Sequence, residues 1–273
     1  MPDTRRRSGW QAHLGLTFRT RGARTVLVRR DHAGPLVVQK PFYPEGAPCH
    51  VYLIHPPGGV VAGDRLRMDL DVEPHAHAVV TTPAAGKFYR SEGAVAHQAV
   101  RLAVASQGRL EWLPQETLLF EGTRVDASVD IALETGARFI GWEVMSFGRP
   151  AINEGFSHGR VDVSWRITQD GAPFYVERMA VDPEAFKAVW GLQGHAAVGA
   201  MFATPATPKH LEMVRSALGD ARNVGVTLLD GVLICKVLGM RADLIRAQFE
   251  HVWHCLRPDT FGCPSCPPRI WST

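Results

Sequence analysis

The chain has 273 residues, 45% of them hydrophobic, enough for one large domain with a sizeable core or for two small ones. Thirty basic residues against 27 acidic ones leave a formal charge of +3, too even a balance for binding nucleic acid by neutralising phosphates. Five cysteines, an odd number spread over a long chain, argue for reduced thiols in a cytoplasm and against a disulfide framework.

The first segment carries the basic run Arg5-Arg6-Arg7, but no apolar stretch of the kind a secretion signal needs follows it, so residues 1–10 read as a solvated, flexible tail. From about residue 12 to 180 the dominant period is two. Val125, Ala127, Val129, Ile131 and Leu133 alternate with polar residues, and so do Val161, Val163, Trp165 and Ile167, the pattern of half-buried strands. Turn signals at short intervals (EGAP, EGT, ETG, QDGAP) favour many short strands over strand-helix-strand units.

Helical spacing appears later. DPEAFKAVW (182–190) predicts one or two turns, and Thr207 with Pro208 reads as the cap and first position of a helix that stops at Gly219. In 241–256 an apolar stripe of Leu244, Ile245, Phe249, Val252, Trp253 and Leu256, with Gln248 beside it, predicts a second helix ending at Pro258. Residues 257–273 then read as an extended, proline-rich tail. The most apolar segment, 224–240, is broken by Asp230 and Lys236 and predicts no membrane span. With no repeat, linker or composition break, the whole of 1–273 reads as a single β-rich domain with a helical C-terminal part.

HPPGGVVAGD (55–64) must be a structured loop, since prolines fix φ and glycines admit positive φ; it places His55 and Asp64 at its two ends. His75 and His77 lie two apart on a predicted strand, so they either share a metal from one face or stand together in solvent. Cys263 and Cys266 have the spacing of half a zinc site or of a redox pair, without a second pair to complete it. Glu143 and Glu177 interrupt apolar strands. If they point inward they mark a polar interior path, and if outward they are ordinary; the alternation does not decide. TTPAAGKFYRS (81–91) contains Gly-Lys but lacks the phosphate-loop pattern, with Thr81 and Phe88 where glycine and a hydroxyl would stand.

HPPGGVVAGD, TTPAAGKFYRS, LEWLPQETLLFEGTR (110–124) and the terminal PPRIWST, in this order, resemble the UreD family of urease accessory proteins, also called UreH. LIRAQFEHVWHCLRP fits the same family, whereas CPSC does not belong to its pattern. The resemblance implies a mainly β fold, a β-helix-like stack of many short strands with two α-helices toward the C-terminus. It implies a protein that is not an enzyme but a cytoplasmic scaffold or chaperone for metallocentre assembly. Such a protein binds apo-urease and the accessory proteins F and G, the latter a GTPase, with the nickel metallochaperone E reaching it through G. It acts as a dimer within that complex, without nucleic acid or membrane, and assists nickel insertion with transient nickel and no tightly bound cofactor. His55, Asp64, His75, His77, Glu143 and Glu177 are then candidates for metal transfer, and Arg269, Ile270 and Trp271 for partner binding, since arginine and tryptophan are enriched at binding hot spots. A metal-dependent hydrolase built from His55, Asp64, His75 and His77 is the alternative.

Overall fold

A computed structural model describes residues 9–219, 221 and 223–272, so the Arg5-Arg6-Arg7 run lies outside the described residues. The described residues are mainly β, a β-solenoid of about four turns with three α-helices. β1 (Gln11–Arg21) and β2 (Arg24–Ala33) form a hairpin, followed by β3 (Val37–Val38) and β4 (Cys49–Ile54). The coils then run through β5 (Arg65–Val72), β6 (His77–Thr81) and β7 (Gly86–Phe88), and next through β8 (Ala96–Val104), β9 (Arg109–Leu113) and β10 (Thr117–Leu119). β11 (Arg124–Leu133), β12 (Arg138–Phe147), β13 (Arg160–Gln169) and β14 (Ala172–Val181) complete the stack. α1 (Pro183–Lys187), β15 (Ala197–Thr204), α2 (Pro208–Leu218), β16 (Val224–Leu229), β17 (Val232–Gly239) and α3 (Ala242–Phe261) follow.

Successive coils lay strands alternately into two sheets, so β1, β5, β8, β11 and β13 pair in parallel within one and β4, β6, β9 and β12 within the other. Alternation along each strand becomes a row of equivalent residues across the sheet. Leu16, Leu70, Leu102, Ile131 and Ile167 stand at matched register and are all buried against the second sheet. One position along, on the solvent side, Asp69, Arg101, Asp130 and Arg166 make a row of alternating charge. The predicted inward sets of β11 and β13 are the buried ones.

The second sheet is covered on its far side by α2 and α3, which makes a third layer. Trp142, Met201 and Cys235 meet Phe249, Val252, Trp253 and Leu256 there. Gly199 permits this approach, because a Cβ at that position would lie 2.4 Å from Ile245. α2 has the predicted bounds, with Thr207 as N-cap, Pro208 in the first turn and Gly219 at its end. α1 supplies the short turn expected at 182–190, its Asp182 carboxylate accepting from the N–H groups of Glu184 and Ala185.

α3 departs from expectation in two ways. Leu244 is exposed and lies outside the buried stripe, and the helix passes through Pro258 to Phe261 before Gly262, at φ 74°, ends it. Proline removes one N–H donor but its φ suits a helix. The last turn is held from outside by Arg257, whose guanidinium is buried in ion pairs with the β-stack. The tail is also not wholly extended, since Arg269–Ser272 form a 3-10 turn. At the other end Trp10, placed by expectation in the tail, has its N–H and C=O tied to Asp64 and Arg65 at 2.8 Å each.

Candidate functional site

In the HPPGGVVAGD loop, Asp64 is buried and both its oxygens are used. One accepts from Trp10 N–H at 2.8 Å and the other from Val61 N–H at 2.9 Å, so the carboxylate caps the loop and fastens the start of β1 to it. His55 is half-buried beside a cavity of about 330 Å3 between the sheets, near Leu66, Met68 and Phe88. Burial pulls its pKa below the ordinary value, against the pull of the Asp64 charge, which keeps the ring neutral near pH 7.

His75 and His77 do not leave one face of a strand. His75 sits in a left-handed turn (φ 61°) before β6 and is exposed, while His77 begins the strand and is buried. The His77 Nε2 lies 2.7 Å from Glu111 and its ring stacks on Phe261, so the pair is divided between solvent and an interior network. Proximity in sequence failed here because the strand starts two residues later than the alternation suggests.

That network was not anticipated. Glu111, on β9, accepts hydrogen bonds from Trp253 Nε1 at 2.6 Å and Arg257 Nε at 2.9 Å, both on α3. Arg257 also reaches Glu45 at 2.6 Å, and Glu45 lies 2.7 Å from the His50 ring. Burial alone would raise the Glu111 pKa, but His77 and Arg257 outweigh it and hold it at about 2. The signal available in the sequence was a lone acid in LEWL and a lone arginine in HCLRP, two charges in apolar runs.

Glu143 on β12 and Glu177 on β14 do point inward and toward each other's surroundings, into a cleft between the two sheets lined also by Trp165, Met179 and Lys236. Glu143 accepts from Trp165 Nε1 at 2.8 Å, and burial lifts its pKa to about 7, with the Glu177 charge adding to the rise and Lys236 opposing it. Glu177 is ion-paired with Lys236 and accepts from the Tyr175 hydroxyl at 2.7 Å. Lys236, noted earlier only as a break in an apolar run, is the counter-ion of this cleft. The arrangement is a pair of carboxyl groups beside one ammonium, with burial holding the Glu143 carboxyl toward its protonated form.

At the C-terminus, Trp271 is built into the protein's own core. Its indole N–H donates to Thr81 Oγ1 at 2.9 Å, and the ring lies 5.9 Å from both Trp142 and Trp253. Arg269 is exposed and Ile270 half-buried. Cys263 and Cys266 are free, half-buried thiols whose pKa values burial raises. Among the described residues no group of three or more His, Cys, Asp or Glu side chains is arranged to hold a metal ion.

The family of the UreD urease accessory protein matches residues 11–272. The chain belongs to the UreD family of urease accessory proteins. It is 43% identical over 267 residues to the urease accessory protein UreD of Pseudomonas putida strain W619, covering 97% of this chain and 95% of the relative. The corresponding protein of Alkalilimnicola ehrlichii is 44% identical over 273 residues, with coverage of 97% and 92%. That of Marinobacter nauticus is 42% identical over 284 residues, with coverage of 99% and 95%. The resemblance drawn from four motifs therefore extends over nearly the whole chain. Among the described residues no helix is long and apolar enough to cross a membrane.

Proposed function

We propose that this urease accessory protein works in the cytoplasm as a non-enzymatic scaffold that binds apo-urease together with the F and G accessory proteins, and that nickel crosses its interior on the way to the urease active site. The observation that carries the reading is the cleft of Glu143, Glu177 and Lys236 between the sheets. A carboxyl group whose pKa lies at about 7 releases its proton when a divalent cation approaches and takes it back when the ion leaves. Oxygen ligands hold nickel less tightly than thiolates or imidazoles, which suits passage over storage. His55, neutral near pH 7 and beside the second inter-sheet cavity, is the nitrogen ligand nearest in character.

The residues of the hydrolase alternative are not assembled: Asp64 is committed to two backbone N–H groups, His77 to Glu111, and His75 faces solvent. The test is urease activation in cells carrying the full accessory set, with Glu143→Gln and Glu177→Gln made separately and together. The expected result is a normal accessory complex on gel filtration but urease with less nickel per active site. Full nickel content with the double variant would refute the passage, and loss of the complex would mean that the two acids serve assembly.

A further inference from the structure

Lys236 stands in β17 with its charge turned out of the apolar run VLICKVLG and into the gap between the sheets. Its ammonium pairs with Oε1 of Glu177, whose Oε2 accepts from the Tyr175 hydroxyl at 2.7 Å, so both oxygens of that carboxylate are engaged. Oε2 of Glu143 accepts from the Trp165 indole at 2.8 Å. The space left between these groups is about 30 Å3, room for one ion or one water molecule and not for an ion with its hydration shell. A cation that enters therefore meets a carboxylate already holding the protein's own cation.

The lysine is also placed to leave. Its neighbours across the ladder are Ala200 on β15 and Gly225 on β16, and a Cβ built on Gly225 would meet nothing within 4 Å, so open space flanks the lysine on that side. Its side chain is 36% exposed, whereas Trp165 and Phe202 behind it are buried. Swinging toward Gly225 returns the ammonium to water and frees Oε1 of Glu177, while Tyr175 keeps the carboxylate in place through Oε2. Charge decides which ion can force this movement. A monovalent cation brings the two acids no more charge than the ammonium does, and the tether lets the ammonium compete at an effective concentration on the order of millimolar. A divalent cation brings twice the charge, and the attraction grows with the product of the charges.

We propose that Lys236 is a specificity-determining residue of the cleft, a tethered cation that rests on Glu177, gives way only to a divalent metal ion, and returns to Glu177 as that ion is released. The inference rests on the reading of the cleft as a passage for nickel, and it says how a passage lined by two acids avoids becoming a store. No covalent bond is made or broken: one divalent ion enters, and the ammonium moves to solvent until the ion has gone. A lysine and a glutamate paired only to join the sheets predict otherwise, since their separation would loosen the fold and leave metal binding unchanged.

The probe is nickel ion alone, bound by the purified full chain in equilibrium dialysis at pH 8, above the Glu143 value of about 7 so that protons do not compete. Glu143→Gln with Glu177→Gln serves as the blank for nickel held elsewhere on the surface. Lys236→Met is expected to bind nickel at least about tenfold more tightly than the wild type and to give it up more slowly to a chelator, because the competing charge is gone. Lys236→Arg, which keeps that charge, is expected to bind no more tightly than the wild type. Melting curves establish that the variants fold, and should Lys236→Met fail to fold, Lys236→Gln is expected to tighten binding in the same direction. Equal nickel affinity of the wild type and the folded neutral variant overturns the proposal. So does a gain that persists when Lys236→Met is combined with Glu143→Gln and Glu177→Gln, since the ion would then lie outside the cleft. The passage itself fails on a different result, full nickel content of urease matured with the doubly substituted protein, so the two readings are refuted separately.

Discussion

Glu111 and Glu143 lie on neighbouring strands of one sheet, β9 and β12, and both are turned away from bulk solvent, but they face opposite sides. Glu111 looks toward α3 and meets three donors, with Arg257 supplying a full opposite charge. Glu143 looks toward the first sheet and meets one donor, the Trp165 indole, with a like charge as neighbour. One acid is therefore held ionised with its pKa at about 2, the other half-protonated near pH 7. Burial is common to both, so the partners decide. A fully paired buried carboxylate makes a rigid joint, here the joint between the C-terminal helix and the β-stack, whereas an under-paired one keeps the freedom to trade its proton for a cation.

The largest effect is expected from breaking the joint. Arg257→Ala leaves the buried Glu111 and the half-buried Glu45 without their cation, and removing one member of a buried ion pair costs about 3–5 kcal/mol. The sign with pH follows from the depressed pKa: the stability that Glu111 contributes is present above its unfolded value and lost as pH falls toward about 2. Urea denaturation should therefore show the Arg257→Ala deficit in full near pH 7 and much reduced in strong acid. A variant as stable as the parent at pH 7 would mean that the network contributes no net rigidity.

Glu143→Gln is expected to act in the opposite direction. A raised pKa means that the folded state holds a proton the unfolded state has released, so wild-type stability falls as pH rises from about 4.5 to about 7 and then levels off. Glutamine keeps an acceptor for Trp165 without the charge. At pH 8 it should stabilise the fold by about 1–3 kcal/mol, a figure reduced for the partial exposure of the side chain, and at pH 4 it should make little difference. Melting temperatures across that range decide the matter, and a stability gain that does not depend on pH would locate the effect elsewhere.

How much of this was legible depended on what covered each strand. β11 and β13 have one face in solvent, so their alternation was readable, and α2 was bounded by its own capping residues. β12 is buried on both faces, by the first sheet and by α3, so RFIGWEVMSF carries no alternation and the direction of Glu143 could not be read. Arg257 and Glu111 are 146 residues apart and Asp64 and Trp10 are 54 apart, so neither pairing leaves a local trace. Pro258 misled because its local cost to the helix is offset by the buried ion pair one residue before it.

Asp64 offers a third kind of buried acid, paired only with backbone N–H groups. Asp64→Ala removes acceptors from Trp10 and Val61 and should cost about 0.5–2 kcal/mol, as capping substitutions do. Because both oxygens are already engaged, a lower melting temperature should accompany any fall in urease activation. Normal melting with activation lost would instead give Asp64 a direct part in handling the metal.

The smallest and most local effect is expected at Lys236, and it tests whether partners alone set the difference between the two acids. The ammonium pairs with Glu177 and its charge also lowers the Glu143 pKa, so among the described residues it offsets burial there together with the Trp165 hydrogen bond. Lys236→Met keeps much of the side-chain bulk and removes the charge, which should move the Glu143 midpoint above about 7 and leave Glu177 as an unneutralised neighbour that pushes it further the same way. Lys236 lies at the partly exposed mouth of the cleft, where solvent screens its charge, so overall stability should change by no more than about 1 kcal/mol. Carbon-detected NMR titration of the glutamate side chains resolves the shift directly, with the Glu111 signal as internal control since Lys236 does not reach it. An upward move of Glu143 with Glu111 unmoved supports the assignment. An unchanged Glu143 midpoint would mean that water in the cleft, and not the ammonium, sets the proton affinity on which cation exchange depends.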